Sequence, residues 1–222
     1  MATDAALFLD LDGTLCDSKP GIVRCIRHAM EGMGQPLDPG RDLDWCLGPP
    51  LNGSLARLLG TGDAGTVARA VELYRERYRT QGIYEAELYP GMLPVLQDLA
   101  ADWRLCVVTS KPEPFAVELV RHFSLDGLIK GVHGSLLDGT RSAKIELVAH
   151  ALAAEGLSAE RVIMVGDREH DMEGALANGV KALGALWGYG SRVALQAAGA
   201  LVTLERPQDL PPALRGMLPA RA

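Results

Sequence analysis

Ala6-Leu7-Phe8-Leu9-Asp10-Leu11-Asp12-Gly13-Thr14-Leu15 is the stretch from which the rest of the chain can be read. It opens on an unbroken apolar run, and a strand buried on both faces of a parallel sheet has that pattern. Its candidate strand is Ala6–Leu11. In an extended chain residues i and i+2 face the same way, so Asp10 and Asp12 project together while Leu11 points into the protein. Two carboxylates on one face repel unless a cation or a proton lies between them. Hard oxygen ligands of this kind suit Mg²⁺, which takes one or two carboxylates together with waters and phosphate oxygens. Gly13 then permits a tight turn. Asp-Gly is also common in ordinary turns after strands, so the string alone leaves both readings open.

Working outward, further apolar runs predict strands at Leu105–Thr109, Val162–Val165, Ala182–Trp187 and Ala200–Leu204. Amphipathic stretches lie between them. One starts near Ser142, places Ile145, Val148, Ala149 and Leu152 at helical spacing, and stops at Gly156. Strand–helix repetition of this length predicts an α/β fold with a Rossmann-like, doubly wound parallel sheet. From Asp17 to Glu87 the pattern breaks. Helical segments Gly21–Met33, Leu51–Leu59 and Ala64–Gln81 are separated by Gly- and Pro-rich loops, with no convincing buried strand. The expected organisation is therefore an α/β core from residues 1–16 and 88–222, with an all-helical insert at 17–87 after the first strand.

Composition narrows the function. The 222 residues carry a formal net charge of -6 and 48% apolar residues. An acidic balance argues against a nucleic acid polymer or an anionic membrane as partner, since both call for basic patches. Arg75, Arg77 and Arg79 form the one compact basic cluster, expected as a solvated helix face. Cys16, Cys25, Cys46 and Cys106 show no CxxC spacing, which argues against zinc and for reduced cysteines used as small hydrophobes. No signal peptide precedes Phe8 and no apolar run approaches membrane length, so a soluble, cytoplasmic protein is expected.

Three more segments carry chemistry, each at or after the carboxyl end of a candidate strand, where open parallel sheets bind ligands. Thr109 and Ser110, followed by Lys111-Pro112, offer hydroxyl and N–H donors to an anion, or simply start a helix. Lys144 stands in a helix's first turn, where a cation opposes the dipole. It is either an exposed surface lysine or a neutraliser of a carboxylate–phosphate cluster. Gly166-Asp167 follows a buried strand and Asp171 comes four residues later. Asp171 has a plain explanation as an acid complementing a helix N-terminus, whereas Asp167 has none as good. His170 reads as a surface helix residue, and Trp187-Gly188-Tyr189-Gly190 as a glycine-bracketed turn or a flank of the site.

Taken together, Asp10-Leu11-Asp12-Gly13-Thr14-Leu15, Thr109-Ser110, Lys144 and Gly166-Asp167 with Asp171 resemble the four motifs of the haloacid dehalogenase superfamily of hydrolases. The resemblance spans the chain, helical insert included. Asp17-Ser18-Lys19-Pro20-Gly21-Ile22 resembles phosphoglycolate phosphatases. Gly48-Pro49-Pro50-Leu51 and Leu137-Asp138-Gly139-Thr140-Arg141-Ser142 resemble the branch that also holds bacterial 5′-nucleotidase-like proteins.

The resemblance implies a catalytic core with a mobile cap at 17–87, and a phosphatase acting on a small phosphorylated metabolite such as 2-phosphoglycolate or a nucleoside 5′-monophosphate. A phosphomutase acting on a sugar phosphate is the alternative. By similarity Asp10 is the nucleophile, and Asp12 is the acid and then the base. Thr109, Ser110 and Lys144 hold the phosphoryl oxygens. Mg²⁺ is held by Asp10, the carbonyl of Asp12 and Asp167, while Asp171 supports that shell or orients Lys144. Gly13 and the Gly48-Pro49 loop are assigned to substrate binding. Dehalogenases and phosphonoacetaldehyde hydrolases of the superfamily lack an acid at the position of Asp12, so its presence favours phosphate esters. A monomer or homodimer is expected.

Overall fold

The computed structural model describes residues 5–217, so the outermost parts of the 1–16 and 88–222 expectation, residues 1–4 and 218–222, lie outside the described residues. In chain order the elements are β1 (Ala6–Leu9), β2 (Cys16–Asp17), α1 (Lys19–Gly32), α2 (Leu51–Leu59), α3 (Ala64–Thr80) and β3 (Glu87–Leu88). Then follow α4 (Met92–Leu99), β4 (Arg104–Pro112), α5 (Glu113–His122), β5 (Ile129–Ser135), α6 (Lys144–Glu155), β6 (Val162–Gly166) and α7 (Glu169–Ala177). The last are β7 (Lys181–Ala185), α8 (Arg192–Ala197), β8 (Val202–Leu204) and α9 (Leu210–Leu214).

Six strands form one parallel sheet in the order β5-β4-β1-β6-β7-β8. This is the α/β, doubly wound architecture that the apolar runs predict. Its centre is β1, in which Ala6, Leu7, Phe8 and Leu9 are all fully buried. Phe8 pairs with Cys106 of β4 on one side and Met164 of β6 on the other. On one face of the sheet these three residues pack against Leu147, Val148 and Ala151 of α6 and Met172 and Ala175 of α7. Helices on the faces explain why the central strands carry apolar residues at consecutive rather than alternate positions.

Register then sets the site. Leu9 lies level with Val107 and Val165, so the carboxyl ends of β1, β4 and β6 reach the same edge together. The Asp10 N–H donates to Val165 O at 3.0 Å and carries the ladder one residue further. The strand β5 was not among the sequence-based candidates. Ile129-Lys-Gly-Val-His-Gly-Ser135 mixes apolar, charged and glycine positions. As an edge strand it needs no continuous apolar face.

The chain divides into two compact units, one running to Cys16 and resuming at Leu88, the other being Asp17–Glu87. In the second, α1 buries Ile22, Cys25, Ile26, Ala29 and Met30, and α3 buries Val67, Ala70, Val71, Tyr74 and Tyr78. Both stripes follow the i, i+3, i+4 spacing of an amphipathic helix. Arg77 departs from the solvated face expected for the basic cluster. It forms a two-pronged pair with Glu85 at 2.8 and 2.9 Å, because a guanidinium fork matches a carboxylate. The four cysteines are free thiols, all buried. Among the described residues no helix is long and apolar enough to cross a membrane.

Phe8→Ala should lower unfolding free energy by about 3–5 kcal/mol. Urea denaturation followed by circular dichroism measures this, and a loss below about 1 kcal/mol would contradict the central role of β1.

Candidate active site

Asp10 follows β1 directly, Asp167 follows β6, and Asp171 stands in the first turn of α7. All three are buried, and each offers a carboxylate oxygen within 4.8 Å of the others. A strand end points its next side chain across the sheet's carboxyl edge, and neighbouring parallel strands bring two such residues side by side. Asp171 reaches the group because α7 begins immediately after β6, and its Oδ2 accepts the Arg168 N–H at 3.0 Å.

Lys144 is 6% exposed, which overturns the surface-lysine alternative. It opens α6, and its Nζ lies 2.9 Å from Asp10 Oδ1 and 2.7 Å from Asp171 Oδ1. It also donates to Val108 O at 3.1 Å. Burial alone would lower its pKa, but Asp10 and Asp171 more than offset that and hold it charged.

Asp167 is held by the Thr14 hydroxyl at 3.3 Å and by the Tyr189 N–H at 2.8 Å. The second of these donors, and the Trp187 indole N–H bond to Thr14 O at 2.9 Å, make the Trp187–Gly190 turn a wall of the site. The chain there comes so close that a Cβ on Gly188 would lie 2.2 Å from Gly13 O. Gly13 adopts φ +86° and faces the Asp167 carboxylate, which a Cβ would meet at 2.2 Å. Its small size is therefore needed for the carboxylate's position as well as for the turn.

Asp12 does not join the three clustered carboxylates. Its Oδ2 pairs with Lys111 Nζ at 2.5 Å. Thr109 is buried within β4, and the Ser110 hydroxyl donates to Ser142 O at 3.0 Å while Ser135 Oγ donates to Ser110 O at 2.8 Å. The hydroxyl pair does not start a helix: β4 continues to Pro112 and α5 begins at Glu113. His170 has an exposed side chain beside Glu173, as expected of a surface residue. Gly48 and Pro49 belong to the helical unit, immediately before α2. Of the two readings offered for Trp187-Gly188-Tyr189-Gly190, the contacts of Trp187 and Tyr189 favour a flank of the site. Lys111 and Thr14 lay inside the quoted segments but were given no role; the one signal for each was its place beside Thr109-Ser110 or after Asp10-Leu11-Asp12.

The electrostatics call for a cation. Three carboxyl groups (Asp10, Asp167, Asp171) crowd round one ammonium, Lys144, at a buried edge, while Asp12 is paired with Lys111. Burial, reinforced by Asp171 and Asp12 and opposed by Lys144, raises the Asp10 pKa to about 6. Burial, then Asp171 and Asp10, raise Asp167 well above its ordinary value of 3.8. Beyond the ionic contact with Lys144, Asp10 Oδ1 and Asp171 Oδ1 are buried and accept no hydrogen bond. Hard oxygen donors, a shared reach and more carboxyl groups than ammonium groups fit a divalent cation.

Residues 7–185 match the family model described as haloacid dehalogenase-like hydrolase. A 5′-nucleotidase of Pseudomonas aeruginosa is 42% identical over 200 residues, covering 87% of this chain and 90% of the relative. The tyrosine-protein kinase PtkA of Mycobacterium tuberculosis is 40% identical over 185 residues, covering 83% of this chain but 62% of that longer relative. A solved structure, described as a predicted phosphatase from Clostridium acetobutylicum, superposes with a TM-score of 0.90 at 30% identity, covering 96% of this chain and 99% of the other.

A carboxyl whose folded pKa lies above its unfolded value of 3.8 favours the fold below pH 3.8 and loses that contribution as pH rises through about 6. Cation-free protein should therefore forfeit this stabilisation between those values, and a divalent cation should restore more at pH 7.5 than at pH 5. Thermal melts in EDTA and in millimolar MgCl₂ read this directly, and Asp167→Ala should abolish the cation-dependent gain in Tm.

Proposed function

The chain belongs to the haloacid dehalogenase-like hydrolases and is a phosphoric monoester hydrolase; we propose that it is a Mg²⁺-dependent phosphatase working through an aspartyl-phosphate on Asp10. The observation that carries this reading is Lys144 bridging Asp10 and Asp171, with Asp167 alongside, at the carboxyl edge of the sheet. Such a cluster has little structural purpose, since a buried set of like charges is destabilising unless it holds something.

In this reading a carboxylate oxygen of Asp10 attacks phosphorus, forming the O–P bond as the bond to the leaving alcohol breaks. Asp12 gives its proton to the departing oxygen, then takes one from the water that attacks the phosphorylated Asp10. Cleavage of the Asp10–phosphorus bond releases inorganic phosphate, restoring the Asp10 carboxylate and leaving Asp12 protonated for the next cycle. Thr109, Ser110 and Lys144 bind the phosphoryl oxygens, where negative charge is stabilised in the transition state. Asp10, the Asp12 carbonyl and Asp167 would hold Mg²⁺, with Asp171 supporting that shell and orienting Lys144. When bound, the ion neutralises phosphoryl charge and offsets carboxylate repulsion.

The helical unit Asp17–Glu87 is the proposed cap, with Gly48-Pro49 as its substrate-facing loop. The proposed substrates are small phosphomonoesters, 2-phosphoglycolate or a nucleoside 5′-monophosphate. The 5′-nucleotidase relative supports the second. The kinase relative supports a second reading, transfer of the phosphoryl group to a tyrosine hydroxyl in place of water.

Purified protein should release phosphate from p-nitrophenyl phosphate only with Mg²⁺, and Asp10→Asn should reduce turnover to background. Asp12→Asn should slow the alkyl esters by about 10²–10⁴-fold, the range of acid–base catalysis. A panel comparing phosphoglycolate with nucleoside monophosphates ranks the substrates. Labelled tyrosine peptide formed from ATP, with no phosphate release from any ester, would favour the kinase reading. Full activity of Asp10→Asn would end the aspartyl-phosphate mechanism.

A further inference from the structure

Lys111 is a charged group at the site that the reaction just described leaves unused. It lies near the end of β4, within an irregularity of register between Val108 and Pro112. A bulge of this kind re-aims the side chains of its strand. Here the Lys111 side chain is only 6% exposed and ends 2.5 Å from Asp12 Oδ2. Lysines at strand ends ordinarily extend so that the ammonium stays in water, so this inward course has to be held by its ionic partner. The other oxygen of the same carboxylate, Asp12 Oδ1, is buried and accepts no hydrogen bond. One oxygen is tethered and the other is left bare.

We infer that Lys111 is a positioning residue for Asp12, pinning Oδ2 so that Oδ1 alone is presented for proton transfer. The inference rests on the reading of Asp12 as the acid–base group. Its physical basis is rotational. The final torsion of an aspartate is broad and roughly two-fold, so an untethered carboxylate swings, whereas proton transfer needs hydrogen-bond reach in one orientation. The tether removes that freedom before substrate arrives.

Leaving-group dependence separates this role from a merely structural one. p-Nitrophenolate departs without a proton, whereas an alkoxide needs one. The assays use p-nitrophenyl phosphate and whichever alkyl phosphomonoester the substrate panel shows to be hydrolysed best. In Lys111→Met, rapid mixing should show a p-nitrophenolate burst of about one equivalent, within roughly tenfold of the wild-type rate, followed by slow turnover. Alkyl ester hydrolysis should fall about a hundredfold, as expected for a misplaced catalytic group. Asp12→Asn should show the same selectivity, the double variant should be no slower than Asp12→Asn alone, and Lys111→Arg should recover part of the loss. Thermal melts check folding, and if Lys111→Met does not fold, Lys111→Gln and Lys111→Arg carry the test.

The proposal is overturned if burst and alkyl rates fall equally, if neither changes, or if the two single losses multiply in the double variant. If Asp12→Asn itself spares the alkyl ester, the acid–base reading of Asp12 fails first and takes this inference with it. That outcome is distinguishable from a failure of Lys111 alone.

Discussion

Repulsion among buried carboxylates is the constraint on which the rest of this structure depends. Asp10, Asp167 and Asp171 bring their oxygens within 4.8 Å of one another at an edge from which most water is excluded. Left free, such groups would separate or bind protons, and burial already pushes Asp10 and Asp167 towards the protonated form. They stay together because the backbone beneath them cannot move apart. Two adjacent parallel strands in fixed register hold Asp10 and Asp167, and the start of α7 holds Asp171. A sheet packed at crystalline density resists the strain.

Lys144 converts that strained arrangement into a usable one. A single ammonium between Asp10 and Asp171 neutralises part of the charge, and the remainder is what a bound cation would offset. The same logic recurs at Asp12, where Lys111 takes the charge on one oxygen. Each lysine is buried against the usual preference of the residue, and each is stabilised there by a carboxylate. The small residues beside them complete the fit, since Gly13 and Gly188 leave no room between the chain and Asp167.

Much of the fold was legible because burial on both faces leaves a signature that needs no context. The runs around Phe8, Val107, Met164 and Leu183 read as strands, and α2 was bounded correctly at both ends. The edge strand β5 was not legible, since its Gly131, His133 and Gly134 answer to neighbours on one side only. Arg77 looked like a surface charge because its partner Glu85 lies eight residues away, off the face of its own helix. The hydroxyl pair Thr109-Ser110 looked like a helix start because serine and threonine favour caps; strand pairing with β5 carried β4 past them.

What the sequence by itself determined is the identity and order of the candidate site residues: Asp10 and Asp12 two apart after an apolar run, then Thr109, Lys144, Asp167 and Asp171. Spacing of two in an extended segment and acids after buried strands are local facts, and local facts survive without coordinates. Only the tertiary structure decided which carboxylates share one centre and which is tied elsewhere. Asp12 turns to Lys111, ninety-nine residues away in the chain, while Asp171 joins Asp10 across a separation larger still. Coulomb attraction acts through space and not along the chain, so those pairings exist only once the parallel sheet has brought its strand ends to one edge.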